Sequence, residues 1–301
     1  MTDRPTIENW LSVLALGLIW GGTFMVVTVA LQGHGPVTVA CARTSLGALA
    51  LLSLLKAFGR RLPRDARRWI FAVPIGLFST ALPFFLLAWG QQHVPSAFAG
   101  LSMAALPLFV LPLAHLFSDE AMSLRRAAGV GLGFAGAAVL LGPGLGQSGV
   151  DPSSALGQVA CLSAALSYAV ASVLTRRCPP IDAISLGAMT LTVGAVALVP
   201  AMLAVEGVPR PADGRADLAI VFLGLVPTAL AVLIRVRVIQ TAGSVFMTLV
   251  NYQVPVWSMV FGAAILGEAL PWRFFLALAL IIAGLATSQW RSLSGLLRRP
   301  V

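Results

Sequence analysis

Long apolar runs and short polar gaps alternate ten times along the chain. A helix needs about 20 mostly apolar residues to cross a bilayer. The pattern predicts spanning helices over 10–31, 36–57, 69–90, 95–117, 124–143, 155–175, 181–204, 217–239, 242–266 and 272–290. Breakers mark most gaps: Gly33 to Pro36, Pro63, Pro95, Gly142 to Gly146, Pro179-Pro180, and Pro209 with Pro211. Between the eighth and ninth spans only Thr241 to Gly243 is left to turn, and Gly207 to Asp217 is the longest polar loop. The expected fold class is an all-α polytopic membrane protein whose N-terminal run is an uncleaved first helix.

Composition agrees with the pattern. Of 301 residues 58% are hydrophobic and 10% charged, with mean hydropathy +0.91, whereas soluble domains carry about 25% charged residues. No water-soluble core of this size hides so much apolar surface, so the lipid bilayer is a partner of the fold. The net charge of +9 does not mark a nucleic-acid binder, because the arginines sit between the apolar runs. There they orient the chain. Sixteen basic residues fall on the side of the N-terminus, among them Lys56, Arg60, Arg61, Arg176, Arg177, Arg235 and Arg237. The opposite side holds Arg210, Arg215 and Arg273. Both termini are therefore expected in the cytoplasm. One lysine against nineteen arginines, with abundant Ala and Gly, is the coding pattern of a GC-rich bacterium, so the expected membrane is the bacterial inner membrane. Cys41, Cys161 and Cys178 fit no zinc or redox spacing and read as small buried side chains.

Sliding the sequence on itself by 148 residues reveals a repeat. Gly76-Leu77 meets Gly224-Leu225, Thr80-Ala81-Leu82 meets Thr228-Ala229-Leu230, Pro107 meets Pro255, Glu120-Ala121 meets Glu268-Ala269, and Arg125 meets Arg273. Between 76 and 138 there are 17 identities in 63 ungapped positions, well above chance even for this composition, so the halves 1–148 and 149–301 read as two copies. Each copy holds five spans. Five is odd, so the second copy enters the membrane upside down. Inverted repeats are how many secondary transporters build two gates around one midplane site.

These residues also carry a resemblance. Trp20-Gly21 in span 1, Arg43 in span 2, and Pro107 followed by Ser118-Asp119-Glu120 resemble one EamA-type repeat; Leu249 to Pro255 and Leu266-Gly267-Glu268 resemble a second. The chain is thus similar to the drug/metabolite transporter superfamily. It departs from the pattern at Ser118-Asp119, where Leu-Gly is common, and at Tyr168, where tryptophan is frequent. The resemblance implies ten helices and a transporter that exports or imports a small metabolite, and does not name the substrate. The expected function is export of a small organic metabolite, an amino acid or related compound, by alternating access.

Polar groups at mid-membrane depth are costly, about 2.5–3.5 kcal/mol for a charge, so each calls for a reason. Asn251, Tyr252 and Gln253 lie near the middle of span 9, and Pro255 frees the carbonyl of Asn251. They either bind substrate in a central cavity or tie helices together. Thr80 and its counterpart Thr228 either face the cavity or bond their own helix backbone. Trp20 and Tyr168 hold matching central positions, as packing or as pore lining. Arg43 is the charge left well inside a span, roughly 10 Å below the surface at 1.5 Å per residue. It snorkels, bonds carbonyls, or attracts an anionic group of the substrate. Glu120 with Arg125, and Glu268 with Arg273, lie at helix ends, where a carboxylate caps the next helix or joins a gating ion pair. Gly129 and Gly133 form a GxxxG whose plain reading is helix packing; its second reading is a homodimer seam.

No Walker loop, HExxH, GxSxG or metal cluster appears, and none of His34, His93 and His115 has a triad partner nearby in sequence. The expected protein is no enzyme and takes no cofactor. An intramembrane enzyme or a non-transporting scaffold are the alternatives.

Overall fold

The computed structural model describes residues 6–117, 123–142, 152–212, 214–288 and 290, and among them it contains ten helical rods and no strand. They are α1 Ile7–Ala30, α2 Pro36–Ala57, α3 Ala66–Gly90, α4 Ser96–Phe117, α5 Leu124–Leu141, α6 Pro152–Arg177, α7 Ala183–Val205, α8 Gly214–Ala242, α9 over 244–266, and α10 Trp272–Ser288. The first eight, α1 to α8, are each long and apolar enough to cross a membrane; the continuous part of α9, Val250–Leu266, and α10 are shorter apolar helices. Helix ends fall within three residues of the sequence expectation. Local chemistry sets several of them. Thr6, Ser123 and Asp182 accept backbone N–H bonds at the starts of α1, α5 and α7, the ordinary N-cap device. Gly243 turns α8 into α9 at φ +88°, a conformation that glycine adopts without a Cβ clash.

Contacts between helix ends sort them onto two faces. On one, the terminal face, Glu8 at the start of α1 pairs with Arg237 near the end of α8 at 2.6 Å, and Trp10 packs on Phe246 of α9. Arg60 after α2 lies 3.8 Å from Asp182 before α7 on that same face. On the opposite, far face, His34 after α1 meets Asp217 of α8 at 2.8 Å, and Glu206 after α7 binds the start of α2. α1 therefore enters from the terminal face and α6 from the far face, as an inverted pair requires.

The last helix of each copy pairs with the other. On α5, Gly129 and Gly136 abut Gly284, Ser288, Ile281 and Ala277 of α10, and Gly133 faces Leu108 of α4 as well as Gly284. Any Cβ at these glycines would strike backbone or branched side chains. Small residues let helices approach closely where lipid gives no hydrophobic push, and here the GxxxG is filled by the chain's own α10.

Four rods are irregular, three of them near their middles and α9 near its start. α3 widens to a π turn over Leu77–Ala81, and α8 does so over Gly224–Leu230, at repeat-equivalent positions. α4 tightens to 3-10 over Met103–Ala105. α9 is interrupted at Thr248 and Leu249, and then runs through Pro255. π turns occur mostly as single bulges, often at functional sites.

Candidate functional site

The two π turns organise the centre of the bundle. A π turn offsets the i→i−4 ladder and leaves carbonyls for other donors. Trp20 of α1 donates its Nε1 to the Pro227 carbonyl in the α8 turn at 3.1 Å. Ser167 of α6 donates to the Phe78 carbonyl in the α3 turn at 2.8 Å. Each repeat's first helix thus bonds the π turn of the other repeat.

The helices that cross these turns match as well. Gly47 of α2 packs on Thr228, and Gly194 of α7 packs on Thr80. In return Gly224 sits against Leu46 and the Arg43 carbonyl, while Gly76 sits against Val193 and the Thr190 carbonyl. The offset here is 147 residues, one fewer than in α3 and α8, so Arg43 and Thr190 are equivalent positions.

Arg43 is only 7% exposed. Its Nε donates to Thr228 Oγ1 at 2.9 Å, and the Thr228 hydroxyl in turn donates to the Leu223 carbonyl at 2.7 Å. The guanidinium carbon lies 3.8 Å from the centre of the Phe84 ring, a cation–π geometry. Its two terminal nitrogens have no hydrogen-bond acceptor among the described residues. No described acid reaches it either. Glu8, Asp65, Asp182 and Asp217 face Arg237, Arg68, Arg60 and His34. Glu206 accepts from the backbone N–H groups of Val37 and Thr38, and Glu268 from those of Ser96 and Ala97.

Trp20 and Tyr168 are half-buried and pack on the same central cluster, with Tyr168 also against the group containing Phe84. Thr80 is committed to backbone: its hydroxyl donates to the Gly76 carbonyl at 2.6 Å, with the Thr190 carbonyl at 3.4 Å. The structure separates Asn251, Tyr252 and Gln253. Tyr252 packs against Ala104, Ala105 and Leu108 of α4 and Ile281 and Leu285 of α10. Gln253 lies on Gly17 and borders a groove with Ile7, Trp10, Leu11 and Leu14. Asn251 is exposed, on the helical face of Pro255, Ser258 and Gly262, all buried. Val256 and Val260, which are exposed, lie on the opposite face. Asn251 thus points into the bundle, where that face opens toward the terminal side. On the far side the face is shut: Gly100 meets Ser258, Gly21 meets Trp257, and Glu268 holds the start of α4.

Glu268 therefore grips a helix of the other repeat and not the helix that follows it. It makes no ion pair with Arg273, whose side chain lies against Gly142 and near the Phe274 ring. Arg125 is exposed at the start of α5, and Glu120 lies outside the described residues. Sequence reasoning missed Phe84 and Glu206 in this arrangement. It also counted Arg235 as a loop charge, although α8 carries it seven residues inside the helix end. A charge within an apolar run was the available signal.

Ten crossings, an inverted duplication, and a buried polar centre between the copies define a multi-pass membrane transporter. The EamA-like transporter family matches residues 10–142 and again 155–288. The chain belongs to that family. It is 28% identical over 284 residues to the "Uncharacterized inner membrane transporter YedA" of Escherichia coli, covering 94% of this chain and 90% of the relative. It is 27% identical over 284 residues to the "Probable terminal-alkyne amino-acid exporter" of Streptantibioticus cattleyicolor, with 94% of each chain covered. A solved crystal structure superposes with TM-score 0.67 at 20% identity, over 96% of this chain and 98% of the other, which bears on the fold alone.

Proposed function

We propose that the protein exports a small organic metabolite, an amino acid or related compound, across the bacterial inner membrane by alternating access. The observation that carries this reading is Arg43: a buried cation fixed by Thr228 and Phe84, with its terminal nitrogens left for a cargo carboxylate. Trp20 and Tyr168 flank the cargo's apolar part, and Asn251 lines the approach; Thr80 serves the scaffold. The basic-residue asymmetry supports a cytoplasmic terminal face. The bundle is then shut outward and open inward, which is the loading state of an exporter. The name of the Streptantibioticus relative supports the same direction and class.

Two experiments test this. Cysteine at Gly214 should react with an impermeant reagent applied to intact cells, and cysteine at Arg61 or Arg177 should not; the opposite pattern reverses the orientation. Overexpression should confer resistance to one toxic metabolite and lower its cell content. Asn251→Leu should lose that resistance with membrane-inserted protein still present, and Tyr252→Phe should keep it. Resistance that persists in Asn251→Leu removes Asn251 from the path.

A further inference from the structure

We infer that the cargo carries a net negative charge and enters along two arginines, first Arg235 and then Arg43. The inference rests on the exporter reading and narrows its substrate class to organic anions: acidic, amine-free or N-blocked carboxylates.

Arg235 is exposed, yet it stands on a packed side of α8. Its helical face explains how both hold. Ala231 and Val238 share that face and are fully buried in the central cluster. Leu230, Arg237 and Gln240 lie on the other side of α8 and are exposed. Arg235 therefore points into the bundle, into space that opens at the terminal face. It stands seven residues from the end of α8, as Asn251 stands seven residues from the start of α9. Thr228 lies seven residues above Arg235 on the same face, about 10 Å further in, and Thr228 holds Arg43. The line Arg235, Thr228, Arg43 thus runs from the open side to the centre.

Among the described acidic residues no counter-charge is built in. The six described ones are engaged as set out above, by Arg237, Arg68, Arg60, His34 and two helix starts. Arg235 has no ion pair or hydrogen bond from its side chain to a described residue. The repeat does not explain it either: the position equivalent to Arg235 is Leu87, which is buried and apolar. A cleft lined by one sign of charge between low-dielectric walls concentrates ions of the opposite sign. Two guanidiniums without a described counter-charge in such a cleft select an anion and repel a cation. A negative lipid headgroup shares this chemistry at Arg235, so the test separates the two sources.

Full-length protein is reconstituted in vesicles of phosphatidylcholine alone and given a small-molecule extract of bacterial cells at neutral pH. Mass spectrometry compares the contents with those of empty vesicles. Net anions should be enriched. Arg235→Gln should slow their initial uptake by about tenfold, and Arg235→Lys should stay within about threefold, since it keeps the charge. Melting temperatures of both variants should match the parent. Enrichment of zwitterions or cations, or an unchanged rate in Arg235→Gln, overturns the anion path and leaves the transporter reading intact. No enrichment over empty vesicles sinks the transporter reading, and the anion path with it. Adding phosphatidylglycerol probes the lipid source. If it raises the melting temperature of the parent but not of Arg235→Gln, while the two transport equally, Arg235 serves a headgroup and the inference fails.

Discussion

The crossing of α2 over the α8 π turn and the crossing of α7 over the α3 π turn are built alike and equipped differently. In both, a glycine of the crossing helix packs on a threonine of the turn, and a glycine at or just before the start of the turn packs on the crossing helix. In both, the threonine hydroxyl donates to a carbonyl of its own helix. The crossing helix then brings Arg43 to one turn and Thr190 to the other. Thr228 becomes the acceptor that aims a cation, whereas Thr80 has only backbone to hold. Duplication supplied a matched frame, and a single side chain placed the chemistry on one side of it. The equivalent threonines should therefore respond unequally to the same substitution, while the glycines should respond equally.

The largest effect belongs to Arg43. Arg43→Gln should reduce efflux by at least about a hundredfold, as expected for a charge-assisted contact made within a low-dielectric site. Its melting temperature should hold or rise, because an unpaired buried charge is removed. A stable variant with normal efflux would reduce the comparison to two structural crossings. Next come the glycines. Gly47→Ala and Gly194→Ala each drive a methyl into a threonine, and overpacking of this kind costs about 1–3 kcal/mol. The two losses, read by detergent-resistant thermal unfolding, should agree closely; unequal losses would mean that the frame is less symmetric than the packing shows. Thr228→Val should lower efflux by about tenfold, near the value of one hydrogen bond to a charged group, while Thr80→Val should leave efflux within about twofold. Equal losses would show that the hydroxyls serve the helices alone. The smallest change is Trp20→Phe, which drops one hydrogen bond to the Pro227 carbonyl and should cost about 1 kcal/mol of stability.

Much of this frame is legible in the sequence, because its causes are local. Twenty-residue apolar runs report spanning helices whatever they pack against, and the 148-residue offset reports the duplication. The slip to 147 in α2 and α7 is invisible to a gapless slide, so the equivalence of Arg43 and Thr190 appears only once Gly47 and Gly194 are seen on their threonines. Three consecutive polar residues cannot share a helix face, so Asn251, Tyr252 and Gln253 had to separate, but only packing could say which one turns inward. Glu206 carries no sequence signal at all: it binds Val37 and Thr38, 168 residues and more away, and it lies outside the matched motifs. Arg235 was hidden for another reason. A basic residue near a helix end is ordinarily an orientation mark, and it becomes a cargo candidate only when its face of α8 proves to be the inner one.

The glycine seam between α5 and α10 also sets a schedule. Synthesis proceeds from the N-terminus, so α5 leaves the ribosome more than a hundred residues ahead of α10. Through that interval its grooved side has no fitted neighbour, and the newborn first half is an unfinished object in the membrane. The tenth helix completes the first five. Two half-length pieces made in one cell should consequently find each other through this groove, and a first half made alone should be cleared.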